Sequence, residues 1–306
     1  MKTTQAEFKS GYAAILGRPN VGKSTLLNGL VMQKIAAMSR KPQTTRNNIL
    51  GVVHLPGGQI ILIDTPGIHD SSIRLNRMMV EASLSTLTDV DLVLFMIDAE
   101  RGFMPEDEGI IEALAKAETP RLLIINKIDR VPKPKLLGLI AEGDRKGVFS
   151  DIVPISALKN DGLDRLQELV LSRLPVGPKY FPEGMVTDCP EEFLISEIIR
   201  EKIMNLTHME VPYSVAVVVD RVEESENGTW VISVTVYTEK DSQKRIIIGE
   251  KGTVLKKVGS LARKEIEKRF GTRVYLSLFV KVKKHWREDE RSLKQFGYFH
   301  DSHKDG

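Results

Sequence analysis

The chain has 306 residues, 42% hydrophobic and 28% charged. That is enough for two ordinary domains at a prior of roughly 100–200 residues each, and it excludes wholesale disorder. Cys189 is the only cysteine, so an intramolecular disulfide and a thiolate zinc cluster are excluded, and a reducing compartment is expected. Net charge is +3, yet between Lys244 and His300 there are 16 Lys+Arg against 6 Asp+Glu, a local +10 that leaves −7 for the remainder. A C-terminal part that meets a polyanion is expected from that asymmetry.

Residues 1–10 are polar and lack the apolar core of a signal sequence. The most apolar runs, 60–63, 91–97 and 122–125, are far shorter than the about 20 residues a membrane span needs and read as buried parallel strands. Strands are predicted over 12–16, 49–55 and 59–63, the last two joined by the turn Pro56-Gly57-Gly58, with a helix over 23–31 after the first. Strands over 92–98, 121–126 and 151–156 each lead into a polar loop and a helix, and a helix over 163–174 closes the unit. The alternation predicts an α/β domain over residues 1–180, with an open, mostly parallel sheet and helices on both faces.

Pro175, Gly177, Pro178, Pro182, Gly184 and Pro190 then interrupt all periodicity, and a linker is placed at 181–190. Next come an amphipathic helix over 192–206 and strands over 213–220 and 229–238, joined across the hairpin signal Asn227-Gly228. Residues 245–248 lead into a glycine-containing loop, followed by a helix from Thr253, a second about 261–270, and a strand over 274–282. The order α-β-β-α-α-β predicts a small α+β domain over 191–298, with 299–306 as a frayed polar tail. The six histidines are scattered without ligand spacing.

Gly17-Arg18-Pro19-Asn20-Val21-Gly22-Lys23-Ser24 matches G-x-x-x-x-G-K-[ST] between a strand and a helix, with Thr25 following. The expected chemistry is a phosphate cradle. Backbone N–H groups surround the phosphates, Lys23 gives a point charge to the β- and γ-phosphates, and the Ser24 hydroxyl is a ligand for Mg²⁺. Asp64-Thr65-Pro66-Gly67 follows a strand, with Asp64 placed to hold Mg²⁺ and Gly67 to present a backbone N–H to the γ-phosphate. Asn126-Lys127-Ile128-Asp129 ends another strand. Asp129 can accept from guanine N1–H and N2–H₂, a donor pair that adenine lacks, while the Lys127 stem lies along the base. Ser156-Ala157, after the last strand of this unit, is expected to give a backbone N–H to guanine O6.

These motifs, in this order, resemble the translation-factor-related class of P-loop GTPases. By that resemblance Gln43-Thr44-Thr45-Arg46 is the first switch segment, in which Thr45, or else Thr44, closes over Mg²⁺ when GTP is bound. Asn20 is similar to the asparagine that helps some relatives bind K⁺. Ile68 stands where Ras-like enzymes carry a water-orienting glutamine, so intrinsic hydrolysis is expected to be slow or to use another device. The catalytic candidates are Lys23, Thr45, Gly67 and Asn20; the metal candidates are Ser24, Thr45 and Asp64.

In the C-terminal domain, Ile248-Gly249-Glu250-Lys251-Gly252 sits inside an I-G-x-x-G-x-x-[IL] pattern that resembles a KH core. Two glycines allow a tight turn past which the backbone of about four nucleotides can run. Lys251, Lys256 and Lys257 would meet phosphates. The basic stretch around Trp286 either stacks a base or ends a solvated strand with Trp286 packed inward. Joined to the GTPase motifs, a type II KH domain resembles the Era family over about residues 10–298. The resemblance implies GTP and GDP with Mg²⁺ and binding near the 3′ end of 16S rRNA. It also implies assistance in 30S assembly and rRNA maturation, and a monomer in the cytoplasm with peripheral contact to the inner membrane. A GTPase serving an RNA-modification system and a P-loop phosphotransferase are the competing readings.

Overall fold

Six strands build the first unit, in the order β2-β3-β1-β4-β5-β6. They are β1 (Lys9–Leu16), β2 (Ile49–Leu55), β3 (Gly58–Asp64), β4 (Leu92–Asp98), β5 (Arg121–Asn126) and β6 (Asp151–Pro154). Only β2 runs antiparallel; the other pairings are parallel. The computed structural model describes residues 7–39, 41, 44–67, 73–76, 79 and 89–298. Ala13–Leu16, all of β4 and Leu122–Asn126 are buried, as expected for parallel strands covered on both faces.

Among the described residues, the longer helices of this unit are α1 (Lys23–Leu30), α2 (Pro105–Lys116), α3 (Lys133–Arg145) and α4 (Leu163–Arg173). α1 buries Leu26, Leu27 and Leu30, and α4 buries Leu163, Leu166 and Val170, spacings of three and four that place them on one helical face. α2 lays Ile110, Ile111 and Leu114 against Phe95, Ile97, Leu123 and Ile125. Each such side chain contributes about 1.5–3 kcal/mol when fully buried.

The second unit has a three-stranded sheet in the order β7-β8-β9: β7 (Ala216–Glu224), β8 (Trp230–Thr238) and β9 (Val274–Val282). β7 and β8 are an antiparallel hairpin around Gly228, whereas β8 and β9 are parallel. A parallel pair needs a crossover; α6 (Asp241–Ile248) and α7 (Thr253–Phe270) supply it. They join α5 (Glu191–Leu206) around a core of Ile195, Ile199, Ile203, Ile232, Val234, Val236, Ile247, Val258, Ala262 and Ile266. α8 (Glu290–Gln295) ends the described chain, its first turn capped by the Asp289 carboxylate. The tail expected at 299–306 lies outside the described residues.

Three expectations are corrected. Residues 245–248 belong to a helix, and the two helices expected after Thr253 are one, carried through Gly259 because Val258, Ala262 and Ile266 form an unbroken inward stripe. The 175–187 stretch is not a free linker: Val52 N–H donates to the Val186 carbonyl, Thr187 Oγ1 to that of Leu50, and Gln59 Nε2 to that of Phe181. A proline-rich segment cannot extend the sheet fully, but through Val186 and Thr187 it satisfies the open edge of β2 at isolated positions. Finally, the unit boundary falls between Asp188 and Cys189, inside the stretch where it was expected, but the described residues of 37–44 and 71–77, expected in the first domain, pack with the second unit. Within it, Met38 N–H donates to Glu201, and Arg200, paired with Glu197, donates to the Thr44 carbonyl.

Candidate nucleotide site and RNA loop

Because β1, β3, β4, β5 and β6 are parallel, their carboxyl ends share one edge of the sheet. Leu16 leads into the glycine loop there, and Asp64, Asp98 and Asn126 are the last residues of their strands. β1 lies between β3 and β4, so the chain diverges to both sides of it. That is the crevice where open α/β sheets bind ligands.

The glycine loop is held by its own motif residues. Lys23 Nζ, buried, donates to the carbonyls of Gly17 (2.9 Å) and Arg18 (3.0 Å). Asn126 Nδ2 donates to the Val21 carbonyl (2.8 Å), and Lys127 Nζ to that of Asn20 (2.7 Å). Gly67 sits where a Cβ would lie 2.8 Å from Pro19 N, so a side chain there would collide with the loop backbone. Thr65 is tied elsewhere: its Oγ1 donates to the Ile15 carbonyl, which fixes the start of the segment to β1. Thr25 follows Ser24 in α1, and Pro66 precedes Gly67. Gln43 and Ile68 lie outside the described residues.

Ser24, Thr45 and Asp64 come together as the sequence expected of metal ligands. Ser24 Oγ donates to Asp64 Oδ2 at 2.6 Å, Thr45 Oγ1 does so at 3.2 Å, and the two hydroxyls are 2.7 Å apart. Asp64 Oδ1 is buried without a hydrogen-bond partner. An orphaned carboxylate oxygen beside two hydroxyls is a donor set suited to a hard cation such as Mg²⁺. The electrostatics agree. Burial pushes the Asp64 carboxyl up to about 6, against the pull of Lys23 and of the Ser24 and Thr45 hydrogen bonds. Burial lowers the Lys23 ammonium to about 8, with Asp64 opposing. Both groups are buried, and each opposes the other's shift.

At the base site, Ser156 Oγ donates to Asp129 Oδ1 (2.6 Å), and Asp129 is exposed. The Ala157 N–H, expected to meet guanine O6, instead donates to Asn126 Oδ1 at 2.9 Å. In this structure Asn126 therefore clamps both the glycine loop and the Ser156-Ala157 turn, and an O6 contact would share that donor. Two residues escape the sequence reading. Asp98 accepts from Lys127 Nζ (2.5 Å), and its place at a strand end, like the motif residues, is the available signal. Asp107 pairs with Arg18 from 89 residues away, and no local pattern marks it.

In the second unit, Gly249 (φ 72°) and Gly252 (φ 78°) flank Glu250 and Lys251 in the loop between α6 and α7. Ile248 ends α6. Glu250, Lys251, Lys256 and Lys257 are exposed, and the N-terminus of α7 opens on the loop, a favourable place for phosphate. Trp286 resolves to the inward alternative: it is fully buried, its Nε1 donates to the Ser214 carbonyl (2.9 Å), and Phe296 and Tyr298 flank its ring. Its neighbour Arg287 is paired with Glu239. Among the described residues no group of three or more His, Cys, Asp and Glu is arranged to hold a metal ion.

Residues 12–127 match the family model described as 50S ribosome-binding GTPase, and residues 210–287 match that of the KH domain. The chain is 53% identical to the GTPase Era of Geobacter metallireducens, covering 95% of this chain and 98% of that one. With the GTPase Era of Geotalea daltonii it shares 50% over 96% and 99%. Among solved structures, a single-residue variant of Aquifex aeolicus Era bound to GDP and AlF₄⁻ superposes with a TM-score of 0.91 at 43% identity, over 95% of this chain and 99% of that one. An Era complex with MgGDPNP and nucleotides 1506–1542 of 16S ribosomal RNA superposes with 0.92 at 44% and the same coverage.

Proposed function

The chain belongs to the Era family of GTPases, and from that premise we propose a GTP-driven switch that binds the 3′ region of 16S rRNA and assists 30S assembly and rRNA maturation. The carrying observation is that one chain holds both a cation-ready nucleotide site, marked by the orphaned Asp64 oxygen, and an exposed glycine loop opening onto a basic helix. The solved Era complex with a 16S fragment supports the RNA assignment.

The residues divide the work as follows. Lys23, together with the backbone of Gly17–Ser24, binds the phosphates, and Asp129 selects guanine through its exposed carboxylate. Ser24, Thr45 and Asp64 would hold Mg²⁺, which supplies charge neutralisation at the β- and γ-phosphates. Gly67 brings a backbone N–H to the γ-phosphate where no side chain could fit. Hydrolysis transfers the γ-phosphoryl group to water: the bond between the γ-phosphorus and the β–γ bridging oxygen breaks, and GDP leaves. Asn20 would help hold a K⁺ ion, whose charge would stand in part for an arginine finger, and equal hydrolysis rates in K⁺ and Na⁺ would refute that. Gly249, Gly252, Lys251, Lys256 and Lys257 bind RNA backbone. GTP raises RNA affinity, and equal affinity with GDP and a GTP analogue would refute the coupling.

The protein is further proposed to be a cytoplasmic monomer with peripheral contact to the inner membrane. No described helix is long and apolar enough to cross a membrane. Flotation with anionic vesicles and light scattering check both points. The deciding experiment is crosslinking of the GTP-bound protein to cellular RNA. Reads at the 3′ end of small-subunit rRNA that vanish in Gly249→Asp support the reading, and reads scattered over unrelated RNAs overturn it.

A further inference from the structure

Arg18 lies inside the phosphate motif, yet its side chain serves no phosphate. It is buried, and its guanidinium donates from Nε to Asp107 Oδ1 (2.8 Å) and from a terminal nitrogen to the Gly102 carbonyl (3.0 Å). Asp107 is fully buried in the first turn of α2, and its second oxygen accepts the Met104 N–H at 2.9 Å. Both carboxylate oxygens are therefore used, and the pair has one defined geometry.

The same connection, residues 98–107, reaches the loop by a second route. Gly102 N–H donates to the Asp98 carbonyl at 2.7 Å, the Asp98 carboxylate accepts from Lys127, and Lys127 also donates to the Asn20 carbonyl. The glycine loop is thus held from one side at Arg18 and at Asn20. At the second of these points the backbone is in sparsely populated territory: Asn20 has φ 65°, a left-handed conformation that residues with a side chain rarely adopt. Such conformations persist only where the surroundings over-determine them.

We infer that Arg18 and Asp107 are positioning residues for GTP binding and hydrolysis, setting the phosphate loop before the nucleotide enters. Stability alone is a poor reason for the pair, since apolar residues of similar size commonly hold a buried site as well as an ion pair does. Position is a better one. The Arg18 carbonyl receives Lys23, so a shift of residue 18 moves the ammonium that must meet the phosphates. A displaced cradle weakens the transition state, where alignment matters most, more than the ground state. The inference rests on the nucleotide-site reading above.

The test compares wild type, Asp107→Asn, Arg18→Lys and the apolar double variant Arg18→Met with Asp107→Leu. The readouts are GDP affinity, kcat and KM for GTP, the guanosine-over-inosine nucleotide preference, and the ³¹P resonance of bound GDP. Expected are a kcat lowered on the order of tenfold or more, a smaller rise in KM, a moved β-phosphate resonance and an unchanged base preference, because Asp129 is untouched. The apolar double variant should show the same losses with its melting temperature kept. Wild-type kcat and an unmoved resonance in that variant would assign the pair to stability and overturn the inference. If the Asp107 variants do not fold, Arg18→Lys decides alone: it keeps the charge but gives up the fork, and wild-type kinetics there would be equally fatal. A wild-type protein that binds no GDP would sink the underlying site reading instead.

Discussion

The two glycine loops of this molecule face the same ligand chemistry and are built in opposite ways. Residues 17–24 are braced by Lys23, Asn126, Lys127 and the Arg18–Asp107 pair, nearly all buried. Residues 248–252 carry exposed Glu250 and Lys251, and the loop is closed by local backbone bonds, Gly249 N–H to Arg245 and Gly252 N–H to Gly249. A loop that must stabilise a transition state needs fixed donors in a dry site. One that tracks an RNA backbone needs close approach and charge, both of which tolerate water. The contrast teaches that glycine spacing sets access for phosphate, while bracing from distant residues sets what is done with it.

The contrast is broken most severely at Asp129. Asp129→Asn removes the acceptor for two guanine donors, and kcat/KM for GTP should fall by about 10⁴ while RNA affinity without nucleotide stays put; titration with labelled nucleotide and RNA measures both. Gly67→Ala comes next. Its Cβ would meet Pro19 at 2.8 Å, so GTP turnover should drop about 100-fold with GDP affinity little changed, as single-turnover and equilibrium assays would show.

The RNA loop answers to different changes. Gly249 has φ 72° and a Cβ there would lie 2.5 Å from Val254 Cγ2, whereas Gly252 opens on free space. Gly249→Asp should therefore reduce RNA affinity far more than Gly252→Ala, with intrinsic GTP hydrolysis untouched in both. Lys251→Ala and Lys256→Ala should each weaken RNA binding a few-fold and reduce the salt slope by about one charge.

The smallest effect sharpens the comparison by pH. In the metal-free protein the Asp64 pKa is raised from 3.8 to about 6. Its contribution to stability is therefore full below 3.8 and lost as pH rises through 6. Mg²⁺ needs the carboxylate, so apparent Mg²⁺ affinity should fall up to about tenfold per unit as pH drops below about 6. Lys23, lowered from 10.5 to about 8, contributes in the other direction. Its penalty in the empty site is full below about 8 and fades as pH rises towards 10.5. GDP affinity should weaken over the same rise because the ammonium loses its proton. Calorimetry from mildly acidic to mildly alkaline pH checks both slopes.

Much of this is legible because it is local. G-x-x-x-x-G-K-S, D-T-P-G and N-K-I-D each occupy a few consecutive residues at a strand end, and buried parallel strands announce themselves as short apolar runs. Strands 92–98 and 121–126 fall where expected for that reason. The helix 241–248 escapes a sequence reading because polar residues and a lone isoleucine run carry little periodicity over so short a span. The break expected within 253–270 does not occur because burial of Val258, Ala262 and Ile266 outweighs the helix penalty of Gly259.

By itself, the sequence determined the local chemistry: a phosphate loop, a guanine-selecting carboxylate, a KH loop, and the two folds that carry them. Short-range patterns of charge, glycine and apolar spacing suffice for that, since each element is specified by neighbours along the chain. Only the tertiary structure decided that Arg18 turns away from the phosphates to Asp107, that Asp98 holds Lys127, that Asn126 takes the Ala157 N–H, and that residues 186–187 bond to the edge strand β2. Those partners lie 29 to 137 residues apart, and no window of sequence records which of many possible donors will reach a given acceptor once the sheet has closed.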